Sequence, residues 1–323
     1  MKQAWAILLL LVPPAFCSAQ DADLRSRAVS LLEKAHAVSL APNLPNLERV
    51  DTFRAFDPSS AAKEGSFTRV VIQGVGRREE AAFGDYHVTN IWTGDTLATT
   101  RVLAVTPPEI DTVMRLTPID LIRFDRSDVI RAISDRELDG QPVHCIAFDT
   151  IVGQSQQENE ICLDTLNGTL ISEKLGDEII RNSGFFPFAG ALLPSKITYS
   201  ILGAGTKLEI FQTMTVLEDA AMNVLAAPPD AQTLHMCTTF RRAIGQSMPQ
   251  PQPGIGARDY DVVVRGIIGT DGKVQSALVQ SSERVDLNAE ALSLIAQWTF
   301  SPALCNGRPN PNEASFLLRF HGR

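Results

Sequence analysis

The sequence predicts an α+β protein in two parts, an antiparallel β-rich N-terminal domain and a small C-terminal domain of order ββαβ. Three observations carry this. Short strand-like runs separated by Gly, Asn and Asp turn signals fill 67–217. Prolines and glycines then gather in 228–259, with Pro228, Pro229, Pro249, Pro251, Pro253, Gly254 and Gly256, which marks a linker. Beyond it, 260–323 holds two strand-like runs around an Asp-Gly turn, one amphipathic helical run and a last strand. A chain of 323 residues, 44% hydrophobic and 20% charged, is no disordered or collagen-like polymer, and each part is long enough to bury a core. Its net charge of −8 repels phosphate backbones and anionic lipid surfaces, which argues against a nucleic-acid partner.

Residues 1–19 read as a cleavable secretory signal peptide: Lys2, an apolar run from Ala4 to Val12, Pro13-Pro14, then Cys17-Ser18-Ala19 before Gln20. The apolar run is about half of the roughly 20 residues that cross a bilayer. Cys17 offers a lipoprotein site as the alternative, against which the bulky Phe16 stands, and a retained leader would leave the chain anchored in the membrane. The expected domain that follows is 20–227. It opens on an amphipathic helix over 23–40, where Leu24, Ala28, Leu31, Leu32 and Ala35 recur at helical spacing. Strands are predicted at 67–73, 86–92, 97–105, 143–150, 158–165, 169–173, 197–202 and 208–217. Leu121, Ile122, Val129, Ile130 and Ile133 predict one helical interruption over 117–134.

Export changes the reading of the cysteines, because oxidising compartments preserve disulfides. Cys145, Cys162, Cys237 and Cys305 allow three pairings. The strands 143–150 and 158–165 flank a turn at Gly153, and a register centred there puts Cys145 opposite Cys162, close enough to bridge. Cys237 is then left for Cys305. The alternative is four buried free thiols.

A helix followed by many antiparallel strands in an exported chain resembles, in architecture, the incomplete barrel of LolA/LppX-type periplasmic carriers. The resemblance implies a curved sheet wrapping helices around an acyl-chain cavity, with lipid in the N-terminal domain and Phe185, Phe186, Phe188, Leu192 and Leu193 as cavity or lid positions. The competing reading of 185–194 is ordinary core ending in a Pro-marked loop.

In the C-terminal part, 260–268 and 273–281 form a hairpin around Gly269-Thr270-Asp271-Gly272, with Asp-Gly supplying positive φ. Asp286 is placed to cap a helix that buries Leu287, Ala291, Leu294, Ile295 and Trp298, and Ser301-Pro302 ends it. Residues 314–320 form the last strand. The stretches Thr270-Asp271-Gly272-Lys273-Val274, Gln280-Ser281-Ser282, Leu287-Asn288-Ala289-Glu290-Ala291-Leu292 and Trp298-Thr299-Phe300-Ser301-Pro302-Ala303 occur in the order and spacing of the TonB C-terminal domain, which 245–323 closely resembles. The resemblance implies a periplasmic module that takes an extended segment of a TonB-dependent outer-membrane transporter, or of another envelope protein, as an added strand. It makes Ser315, Phe316, Leu317, Leu318, Arg319 and Phe320 the edge strand. It also likens Gln250-Pro251-Gln252-Pro253 to the proline-rich partner-binding motif of that family, although the motif's tyrosine is absent here. The cleavable leader and the short linker differ from a membrane-anchored energy transducer, and imply a soluble or accessory relative.

Catalytic chemistry is not expected. His36, His87, His144, His235 and His321 are scattered, and no G-x-S-x-G, H-E-x-x-H, phosphate loop or zinc spacing occurs. No metal or cofactor is predicted. Three classes remain, in order: a peptide- or protein-binding envelope module, a lipid or lipoprotein carrier docked through its C-terminal module, and an exported hydrolase with an unrecognised site.

Overall fold

The computed structural model describes residues 16–40, 44–56, 61–101, 105–116, 123–153, 155–217, 222–252 and 258–322. In chain order these form α1 (Phe16–Ser39), β1 (Leu47–Ala55), β2 (Lys63–Ile72), β3 (Gly76–Phe83), β4 (Tyr86–Thr93), β5 (Thr96–Thr99) and α2 (Pro108–Arg115). Then come β6 (Val129–Leu138), β7 (Gln141–Val152), β8 (Ser155–Asp164), β9 (Leu170–Leu175), β10 (Glu178–Phe188), β11 (Ala191–Ile201) and β12 (Gly205–Val216). The short β13 (Gln232–His235), β14 (Phe240–Arg241) and β15 (Ile244–Ser247) precede β16 (Tyr260–Ile268), β17 (Val274–Ser282) and α3 (Asn288–Ile295). The chain ends with β18 (Thr299–Ser301), β19 (Ala303–Cys305), β20 (Arg308–Asn310) and β21 (Asn312–Phe320). The α+β expectation therefore holds in its coarse form, a mostly β protein with three helices among the described residues.

Two compact units divide the chain, and neither is one continuous segment. Residues 1–43 with 118–209 form the first, and residues 44–117 with 210–323 the second. The expected 20–227 domain is thus split, and its 44–117 portion clusters with the C-terminal module.

In the first unit the strands run β6-β7-β8-β9-β10-β11, antiparallel wherever neighbours meet. The helix predicted over 23–40 is α1, and it lies against β6 and β11. Its Ala28, Leu32 and Ala35 are buried together with Ile130, Ile146, Phe148, Ile161, Leu163 and Leu170. Each large side chain buried there contributes about 1.5–3 kcal/mol. Cys145 and Cys162 are directly opposed in the β7–β8 register and are joined in a disulfide, as the sequence predicted. The helix expected over 117–134 is corrected: 129–134 is strand β6, and 117–122 lies outside the described residues. A β-bulge between Ile130 and Ala132 explains the misreading. The inserted residue brings Ile130 and Ile133 toward the same core at a spacing of three, which imitates a helix. Residues 185–194 are a hairpin, in which Phe188 and Leu193 are buried and Phe185 packs on the cluster around the disulfide.

In the second unit β13-β5-β4-β3-β2-β1 form an antiparallel sheet. Helix α2 begins with Pro108, where a missing N–H costs nothing, and its fully buried Ile110 and Val113 face β2 and β3. The C-terminal module is the sheet β17-β16-β21 with α3 packed on it. Val262, Val264, Leu318 and Phe320 are fully buried there beside Ala291 and Ile295. Gly272 has φ +77°, and a Cβ on it would sit 1.9 Å from the Phe300 carbonyl oxygen, so only glycine fits the predicted turn. The predicted Asp286 cap is not formed. Asp286 lies in a 3-10 turn before α3 and pairs with Arg284, while Leu287 occupies the N-cap position without a side-chain bond.

The segment read as a linker carries three strands. β13 pairs with β5, β14 with β19, and β15 with β18. Backbone pairing needs no apolar side chain, so a Pro- and Gly-rich composition hid it. The Cys237–Cys305 disulfide, the second predicted pairing, joins this segment to β19.

Candidate functional site: the edge strand of the C-terminal module

β21 pairs along its whole length with β16, from Tyr260↔Phe320 to Ile268↔Asn312, and it is the terminal strand of its sheet. The strand period of two sorts the six predicted residues into halves. Phe316, Leu318 and Phe320 are buried in the core, so they offer a partner only their backbone. Ser315, Leu317 and Arg319 are exposed, Leu317 to 55%. Behind the strand, Phe316, Trp298 and Phe300 form a triad of rings with centroids 5.6–6.3 Å apart, which fixes the backbone that a ligand strand would meet.

Charge is fixed along this edge. Arg319 donates two hydrogen bonds to Asp261 on β16, at 2.9 and 3.1 Å. The bidentate guanidinium holds the Asp261 carboxyl below the usual carboxylate range. Arg319 therefore presents its aliphatic stem beside Leu317 with its charge already matched.

The proline-rich motif is partly engaged within the chain. Trp298 Nε1 donates to the Pro249 carbonyl at 2.9 Å, Pro251 is buried, and Gln250 Nε2 donates to the Met248 carbonyl at 3.0 Å. Gln250 and Gln252 remain exposed, and Pro253 lies outside the described residues. The structure does not bring this motif and the exposed face of β21 into a common hydrogen-bond network among the described residues.

Sequence reasoning missed a polar hub at the start of β21. Glu313, 15% exposed, accepts from Arg265 Nε at 2.7 Å, from Arg101, and from the Thr106 N–H at 3.0 Å. Arg265 also reaches Asp111 on α2 at 3.3 Å. The available signal was a lone arginine inside the apolar run 260–268. Glu313→Ala removes the carboxylate that both guanidiniums share, each about three-quarters buried or more, and is expected to cost about 2 kcal/mol. Glu313→Gln should recover part of the urea midpoint, and an unshifted midpoint for Glu313→Ala would show the hub to be energetically idle.

Among the described residues, the cluster with metal-ligand geometry is Cys145, Glu160 and Cys162, and the disulfide consumes both thiolates. A cleft of about 330 Å³ in the first unit is lined by Arg123, Asp125, Ser127, Asp128, Asn159 and Phe148, a wall of mixed polarity.

A comparison with curated proteins finds no match. Solved structures are matched at low identity. A LolA superfamily protein from Nitrosomonas europaea is 14% identical, with 61% of this chain and 96% of that one covered at a TM-score of 0.39. A lipoprotein-sorting protein domain from Vibrio parahaemolyticus is 11% identical, with 64% and 99% covered at 0.39. The MucA/MucB complex from Pseudomonas aeruginosa is 12% identical, with 85% and 99% covered at 0.31. At this level they place no ligand or partner on this chain. Residues 259–321 match the family described as Gram-negative bacterial TonB protein C-terminal, a module characteristic of Gram-negative envelope proteins.

Proposed function

We propose that this is a periplasmic, non-catalytic binding protein whose C-terminal module captures an extended segment of a TonB-dependent outer-membrane transporter, or of another envelope protein, by strand addition beside β21. The observation that supports this most is the edge itself: a nine-residue strand anchored by three buried side chains, with Ser315, Leu317 and Arg319 facing outward. Such an edge supplies main-chain hydrogen bonds for affinity, and its alternate side chains select the guest. The match of 259–321 to the TonB C-terminal family supports the choice of partner class.

A photo-crosslinker at position 317, introduced into the full chain in a Gram-negative host, should yield an adduct with an outer-membrane protein. The same group at Gln275, exposed near the start of the opposite edge strand β17, should not. Leu317→Asp is expected to weaken the captured segment about tenfold, or about 1.4 kcal/mol. Equal adducts from both positions, or none from 317, would overturn strand addition at β21.

A further inference from the structure

A second surface of the C-terminal half is unlike the rest of the protein. Exposed large apolar side chains concentrate in one short stretch: Leu234 at 40%, Met236 at 53%, Phe240 at 48%, Ile244 at 60% and Met248 at 44%. Residues 240–247 run antiparallel beside 299–305, with Phe240 opposite Cys305 and Ile244 opposite Ser301, and β20 continues the sheet from β19. The Met248 thioether folds over Gly245, next to Ile244. The Cys237–Cys305 disulfide holds the stretch against β19.

Its charge is as distinct as its polarity. Arg241, Arg242 and Arg308 are exposed and make no ion pair among the described residues. Neither 231–252 nor 299–312 contains an Asp or Glu, in a chain with 37 acidic and 29 basic residues. Exposed apolar side chains beside exposed arginines suit an interface where hydrocarbon and phosphate lie within a few ångströms of each other. Across the register Phe240–Cys305–Arg308, Arg308 shares the face of Phe240, whereas Arg241 is turned to the other side. We propose that this plate is a docking surface for an anionic phospholipid bilayer, with Phe240, Ile244 and the two methionines entering the headgroup boundary and Arg308 and the neighbouring Arg242 bonding lipid phosphates.

The backbone favours a bilayer over an acidic peptide strand. Pairing along this edge is interrupted between Arg241 and Ile244 and shifts register between Gly245 and Ser247. Both features spoil continuous pairing with a guest strand, whereas a lipid surface imposes no register. The guanidinium fork binds phosphate in two bonds, and methionine adapts to an irregular apolar contact. The chain's net charge of −8 does not forbid this, because acids more than about 8 Å away are screened at physiological salt while the arginines touch the surface.

The test is co-sedimentation of the full chain with vesicles of equal parts phosphatidylglycerol and phosphatidylcholine, against phosphatidylcholine alone. Binding should require the anionic lipid and weaken as salt rises. Arg242→Glu with Arg308→Glu should lower partitioning at least about tenfold. Phe240→Ser with Ile244→Ser should lower it by a similar factor, about tenfold. All four side chains are exposed, so both variants should keep the wild-type urea midpoint, and both carry the same leader as the wild type. Equal binding to the two vesicle types, or wild-type partitioning by the charge-reversed variant, would overturn the proposal. Strand capture at β21 is read at residue 317 and stands or falls separately.

Discussion

Replacing Cys237 and Cys305 together by Ser is expected to cost about 4 kcal/mol of stability in the second unit, from the entropy of closing a loop with a sequence separation of 68. The site isolates that effect well. Cys237 is exposed, so its substitution opens no core cavity. The strands that the bond tethers are short and nearly bare: every residue of β13, β14 and β15 is exposed, and their pairing rests on main-chain hydrogen bonds. Such strands gain little from burial, and a covalent link compensates by narrowing the unfolded ensemble. Urea unfolding of the double variant, with far-UV dichroism as the signal, should show a clear loss of midpoint. The Cys145/Cys162 double variant spans a separation of only 17, where the same relation predicts about 3 kcal/mol for the cross-link itself, with the loss of two fully buried sulfurs added to it. A midpoint unchanged without Cys237 and Cys305 would mean that the short strands already hold the segment.

The sequence disclosed the elements whose chemistry obeys a single rule. α1 was visible because Ala28, Leu32 and Ala35 repeat at helical spacing, and the 260–282 hairpin because an Asp-Gly turn divides two apolar runs. The first disulfide followed from register alone. Strand β1 was hidden because its buried face reads Leu47, Arg49, Asp51, Phe53 and Ala55: a buried ion pair, with Arg49 Nε 2.8 Å from Asp51, stands where a pattern search expects aliphatics. β3 escaped for a related reason, with Glu79 buried beside Arg69 at 2.9 Å. Such residues are ion-paired with partners that a pattern of apolar side chains does not register, so their burial leaves no periodic signal. The same holds at the candidate site. The edge strand could be read from its family resemblance and its period of two, but the Glu313 hub joins Arg101, Thr106 and Arg265, which only the fold assembles.

Glu173→Gln should remove a pH dependence of stability in the first unit worth about 3 kcal/mol. Glu173 lies on β9 between Ile161 of β8 and Ile180 of β10, both buried, and it makes no hydrogen bond or ion pair among the described residues. Burial alone raises its pKa from 4.5 to about 7. The sign follows from proton counting. Between those two values the folded state binds more protons than the unfolded state, so stability falls as pH rises through that window. Below it both states are protonated and no penalty exists. Above it the carboxylate is charged in both states, and the folded one carries the full desolvation cost, about 1.4 kcal/mol for each unit of the shift. The amide introduced by Glu173→Gln cannot ionise. The variant should therefore unfold at a higher urea concentration than the wild type near about pH 8, and the two should converge below about pH 4.5. Parallel stability curves across the window would mean that Glu173 reaches solvent or a counter-charge. Because Glu173 stands opposite Ile161, which belongs to the core beneath α1, the same titration should loosen α1 first, and amide exchange along Leu32 and Ala35 would report it as faster opening at the alkaline end.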